Sequence, residues 1–174
     1  LRYRDGAVHG FASRLHYASD AIFDNSRRGI MRDVTAAIGR SAARTDQRPI
    51  EFMSRHRSLY RQIANNDAEL HGIEAAESAM AHRKGFAYLP KAAIATVESR
   101  IETGDILAIT TNIDGLDCSH TGIALRLKGD GRIHFLHASS LKGEVTVTEV
   151  PLAEYLEASS HQTGIIIARP QEPR

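Results

Sequence analysis

His120 and His137 bracket a hairpin in a chain of 174 residues that holds nine histidines and one cysteine. Gly129-Asp130-Gly131 marks a tight turn between them. If Leu127 pairs with Arg132 across that turn, His137 falls opposite Gly122, two residues from His120 and on the same side of the pleat. The two imidazoles are then diagonal neighbours, roughly 7 Å apart at the backbone. A slip of one residue would separate them. Their face carries the small residues Gly122 and Ala124, which predicts a cleft wall. The opposite face carries Ile123, Leu125, Leu127 and Leu136, which predicts the core side. Histidine is the usual general base because it titrates near neutrality. A second polar residue fixes its tautomer, as in the catalytic triads. Such a pair lacks a nucleophile, and without one it serves equally as two satisfied strand histidines.

Cys118 stands two residues before His120, so a shared face is expected. Neighbours on one strand face stand parallel at roughly 6.6 Å, too far for an easy hydrogen bond. No helix N-terminus is at hand to lower the thiol pKa. Cys118 is therefore a poor nucleophile by position. A zinc set of Cys118, His120 and His137, completed by Asp117 or water, has the right ligand types, but Cys-x-His is not a recognised ligand spacing. His134 lies an odd number of residues from His137 and points to the other face. Elsewhere, Arg14 could clamp a carboxylate, with His16 and Tyr17 as donors, or form a surface ion pair. Ser119, Ser139 and Ser140 flank the two histidines and offer hydroxyls to a substrate.

The elements that must position these groups divide near residue 103. Residues 1–103 are Ala- and Arg-rich and read mainly as helix. Candidate helices begin at an Asp20 cap, run from Pro49 to Ile63, span Glu69 to His82, and start again at Pro90. Residues 104–174 read as strands: 105–110, 121–128, 132–139, 144–148 and 164–169, with a short helix after Pro151. Helices first and meandering strands afterwards predict one α+β domain over 1–174. Gly104-Asp105 reads as structural.

Composition removes several classes. One cysteine cannot build an internal disulfide framework. No apolar run approaches the roughly 18 residues of a membrane span. The net charge of +1 hides an asymmetry: residues 1–62 carry 12 Lys+Arg against 6 Asp+Glu, and the remainder carries 10 against 15. No aromatic residues interleave with the basic stretch, so a nucleic-acid surface is not expected.

Three segments resemble the NlpC-type papain-like cell-wall hydrolases: Gly104-Asp105-Ile106-Leu107-Ala108-Ile109-Thr110, Leu116-Asp117-Cys118-Ser119-His120-Thr121-Gly122-Ile123-Ala124 and Leu136-His137-Ala138-Ser139-Ser140. Together with Leu1–Gly6, Arg14-Leu15-His16-Tyr17, Asp24-Asn25, Arg28-Gly29-Ile30 and Tyr88-Leu89-Pro90-Lys91, they resemble the N-acetylmuramoyl-L-alanine amidase-like branch along essentially the whole chain. The resemblance implies a papain-like α+β fold and a bacterial, periplasmic or secreted cysteine amidase or peptidase. Its substrate would be an amide bond of peptidoglycan or a muropeptide, with no cofactor. His120 would be the base and His137 its orienting partner. The family's nucleophile lies upstream of the Arg-Tyr-Arg-x-Gly stretch, here residues 2–6, so it is expected before Leu1 and this chain alone is expected to be inactive. Cys118 stands where the family often has an aliphatic residue, so it is expected to pack. Two other readings stay open: a catalytically dead module binding peptidoglycan peptides on the same fold, and a metal-dependent hydrolase using Cys118, His120 and His137.

Overall fold

In the computed structural model, which describes residues 1–172, the first helix grows from a segment without its own capping side chain. It is α1 (Ala18–Arg27), and Gly29 closes it with a φ of 70°, a conformation glycine adopts without steric cost. There follow β1 (Met31–Asp33), α2 (Thr35–Gly39), β2 (Arg44–Asp46), α3 (Phe52–Arg55) and α4 (Arg61–Ala64). Next come α5 (Asp67–Ala81), β3 (Phe86–Pro90), α6 (Lys91–Val97), β4 (Ile106–Thr111) and β5 (Cys118–Arg126). The chain continues through β6 (Ile133–Ser139), β7 (Glu144–Val147), α7 (Leu152–Glu157) and β8 (Gln162–Pro170).

α5 follows the expected helix closely. The Asn66 side chain accepts the Glu69 amide, and Leu70, Ile73, Glu77 and Met80 recur at helical spacing on the buried face. Pro90 opens α6 as expected. Two expectations are corrected. Asp20 lies inside α1 rather than capping it, buried between the guanidiniums of Arg4 and Arg83, each 2.7 Å from a carboxylate oxygen. The Pro49–Ile63 helix is two short helices separated by a turn, and only Met53 and Ile63 of those helices are buried.

The strands form one eight-stranded antiparallel sheet in the order β2-β3-β8-β4-β5-β6-β7, with β1 also pairing to β8. The architecture is α+β. The mainly helical segment supplies three of the strands, so residues before and after 103 share the sheet. β8 carries Ile165, Ile166 and Ile167, all buried, because helices cover both faces of this central strand. On one face Leu107, Ile109, Ala124, Ile133, Phe135, Ile165 and Ile167 pack against Ile38 of α2, Ile94 and Val97 of α6, and Leu152 and Leu156 of α7. On the other, Ala108, Ile166 and Ala168 pack against Ile22 of α1.

The face assignment made from the hairpin is reversed. Ile123 is 41% exposed, whereas Ala124, Ile133 and Phe135 have no exposure. The histidine face is the core face. Its small residues make room for the Phe135 ring rather than for substrate: a Cβ on Gly122 would lie 2.6 Å from Phe135 Cε2.

Candidate active site

The β5–β6 register has the expected pairing. Ile123 opposes Leu136, Ala124 opposes Phe135 and Arg126 opposes Ile133, and the Leu127 amide donates to the Arg132 carbonyl. This register brings His120 and His137 together at the end of the core face. His120 Nε2 lies 2.7 Å from His137 Nδ1. The rings meet edge to face, with centroids 4.9 Å apart and planes at 90°. Phe135 supports both from below: it stacks on His137 at 4.9 Å and 17°, and meets His120 at 5.8 Å and 73°. Tyr155 of α7 closes the side, 5.6 Å from His137.

Burial lowers the pKa of His120. Burial, the neighbouring His120 and the Lys142 charge lower that of His137. The pair is therefore neutral at neutral pH, the state a general base needs. One ring donates its N–H to the lone pair of the other. Among the described residues His120 Nδ1 has no hydrogen-bond partner, which leaves it able to accept a proton from an approaching group.

An open depression lies beside the pair, lined in part by Ser119, Ser139, Lys142, Tyr155 and Gln162. Ser119 is exposed and Ser139 half-buried, with its Oγ accepting the Lys142 amide at 3.2 Å. Arg14, His16 and Tyr17 do not line this depression. Arg14 is exposed and bridges Tyr3 through the backbone. His16 Nε2 donates to the Phe11 carbonyl at 2.8 Å, its ring packs on Phe11, and burial lowers its pKa. Tyr17 is corrected from a substrate donor to a core residue. It is buried, donates to Glu77 Oε1 at 2.6 Å and accepts the Met53 amide at 2.8 Å. Burial and then the Glu77 hydrogen bond push its pKa up.

Cys118 packs, as the resemblance implies, but it does not share the face of His120. A β-bulge between Ile109 and Thr110 leaves Ser119 as an extra residue, so His120 pairs with Ile109 but Cys118 pairs with Thr110. The shift reverses the side of the sheet that Cys118 meets. Its side chain packs with Ile22, Ala108 and Ile166 on the face away from His120, and burial pushes its thiol pKa well up. The ligand set Cys118, His120 and His137 is therefore not assembled. Asp117, the possible fourth ligand, is buried and committed elsewhere. Its Oδ2 accepts the Ser19 amide at 2.7 Å and its Oδ1 the Cys118 amide at 2.6 Å. It thereby caps α1 from 98 residues away and ties that helix to the start of β5.

Sequence reasoning missed Phe135, Tyr155, Lys142 and Gln162. Phe135 carried a usable signal, being two residues from His137 and so on its face. Tyr155 carried none beyond a short helix after Pro151, because only tertiary packing delivers it. Asp105 is structural as expected: it accepts Arg169 Nε at 2.7 Å and the Glu102 amide at 2.9 Å.

A model of the N-acetylmuramoyl-L-alanine amidase-like family matches residues 1–165. The chain belongs to that family. Solved structures agree. An N-acetylmuramoyl-L-alanine amidase from Bacteroides uniformis is 38% identical with a TM-score of 0.90, over 99% of this chain and 71% of that one. A Bacteroides fragilis protein described as a candidate xylanase is 39% identical with a TM-score of 0.88, over 97% and 71% of the two chains. A Legionella pneumophila protein, 22% identical with a TM-score of 0.67, shares the fold. No curated protein matches significantly. Within the amidase-like family, the histidine pair suits amide chemistry better than glycoside hydrolysis. Glycosidases ordinarily use two carboxyl groups across the scissile bond. Here Glu149 is the sole carboxylate among the described residues lining the depression, and it is held 3.0 Å from Lys142. No helix among the described residues is long and apolar enough to cross a membrane.

Proposed function

We propose that this chain carries the base and orienting residue of a cysteine amidase or peptidase that hydrolyses amide bonds of peptidoglycan or muropeptides. The fold would be papain-like and NlpC-type, and the setting the bacterial periplasm or cell exterior. The contact between His120 Nε2 and His137 Nδ1 carries the reading. His120 holds its proton on Nε2 and donates it to His137, which leaves Nδ1 as the acceptor facing the reaction. Nδ1 takes the proton of a cysteine thiol, the thiolate attacks the amide carbonyl, and the proton passes to the leaving amine. Water then hydrolyses the thioester with His120 as base. The nucleophile is placed on a segment outside residues 1–174, in keeping with the family resemblance and with Cys118 facing away.

The test is hydrolysis of purified muropeptides by the natural gene product, unaltered and as His120→Ala. Loss of turnover with retained folding supports the assignment. Equal activity in both would sink the role of His120, and turnover surviving thiol alkylation would contradict a cysteine mechanism. A second reading rests on the open depression beside His120 and His137, which can hold a ligand without chemistry. On that reading the chain binds peptidoglycan peptides without cleaving them, and muropeptide binding without turnover by the gene product would select it.

A further inference from the structure

Two β-bulges flank Thr110, and each changes which side chain reaches the depression. In β5 the extra residue is Ser119, and the bulge turns Cys118 away from His120. In β8 Thr110 pairs with Gly164 but Thr111 pairs with Gln162, leaving Thr163 as the extra residue. Its hydroxyl meets that of Thr110 at 2.8 Å. In a regular ladder Gln162 would share a side with Gly164, away from Ile165 and the core face. The bulge moves it to the core face, where it lines the same depression as His120, His137 and Tyr155. Re-aiming a side chain is a recurrent use of bulges beside active sites.

Among the described residues the Gln162 carboxamide has no hydrogen-bond partner. Its Oε1 is shielded from solvent and makes no hydrogen bond. A buried acceptor left unpaired is costly, and such exceptions call for an explanation. A carboxamide offers one acceptor and two donors, the complement of a peptide group's N–H and C=O.

We propose that Gln162 binds a peptide group of the substrate, its carboxamide turning to accept the N–H and donate to the C=O of an amide beside the one His120 acts on. This rests on the proposed reading of the site as a muropeptide site. Gln162 is a specificity-determining residue: it selects ligands with a second amide next to the scissile one.

The test compares Gln162→Leu with Gln162, both in a His120→Ala background so that no turnover intervenes. Muramoyl dipeptide is the probe, titrated by calorimetry, and thermal unfolding is followed in parallel. Binding about tenfold weaker, with an unchanged or higher unfolding midpoint, is the expected result. Equal affinity overturns the inference and leaves the proposed function standing. A lower midpoint in Gln162→Leu also overturns it, since the carboxamide would then serve the fold. No binding by the Gln162 protein overturns the substrate reading, and the inference with it.

Discussion

His120 and His137 are joined nitrogen to nitrogen across the hairpin, 2.7 Å apart, while both sit in surroundings that lower their pKa. The contact exists only while at least one ring is neutral. Two imidazolium rings would both be donors and would repel. The pair thus persists through neutral pH and breaks in acid.

The sign of the pH effect follows from linkage. A histidine whose folded pKa lies below 6.5 binds fewer protons folded than unfolded as the pH falls from 6.5 towards that folded value. Stability from this pair therefore declines as pH drops through that window. NMR titration should show both rings titrating below 6.5, and the urea midpoint should fall over the same range. Lys142→Gln removes one of the causes lowering His137, so the His137 titration should move upward. An unmoved His137 would show that Lys142 does not reach the pair.

His134 has the opposite sign. Burial lowers its pKa, but hydrogen bonds to Asp130 at 2.9 Å and to the Thr148 carbonyl at 2.7 Å outweigh it, and the net shift is upward. Its contribution is complete below the unfolded value and is lost as pH rises through the folded one. Asp130→Asn should return His134 towards 6.5 and flatten that alkaline loss. The measurement is the His134 titration in both proteins, with urea midpoints on either side of neutrality.

The hairpin was legible because one tight turn sets the register of both strands and register alone decides which residues meet. Hence the approach of His120 to His137 could be derived from Gly129-Asp130-Gly131 and counting. Which face of that hairpin is buried was not legible, since α6 and α7 cover it and their docking is tertiary. The same limit hid the bulges. Nothing local at Ser119 or Thr163 marks an extra residue, yet those two residues decide that Cys118 leaves the site and that Gln162 enters it. Asp117 offers itself in the sequence only as a possible ligand, because the amide it caps lies 98 positions away.

Cys118 should behave as a packing residue in every assay. Cys118 is half-buried and its thiol pKa is raised, so alkylation by iodoacetamide at pH 8 should be slower in the folded protein than in urea. Cys118→Ala should cost on the order of 1 kcal/mol, from loss of a small group among Ile22, Ala108 and Ile166. Muropeptide binding should be unchanged. A Cys118→Ala protein that folds normally but no longer binds muropeptide would return Cys118 to the site.

Gly122→Ala tests the platform beneath the pair. Gly122 lacks a side chain because the Phe135 ring occupies that space: an added Cβ would lie 2.6 Å from Cε2 and 2.7 Å from Cζ, and would also press on the Leu136 carbonyl. The carbonyl belongs to the β5–β6 ladder and cannot move freely. The ladder must therefore strain at Leu136 and the ring must tilt as well, and that ring stacks on His137 with centroids 4.9 Å apart. Overpacking of this kind typically costs about 1–3 kcal/mol. The expected signature is therefore double: a lower urea midpoint, and loss of the hydrogen-bonded proton between His120 and His137 in NMR spectra at neutral pH. Phe135→Leu in the same background removes the ring's share of the clash, leaving that with the Leu136 carbonyl, and should restore part of the stability but not the stacked support of His137. A Gly122→Ala protein with an unchanged midpoint and an intact imidazole contact would show that the Phe135 ring does not set the geometry of the pair.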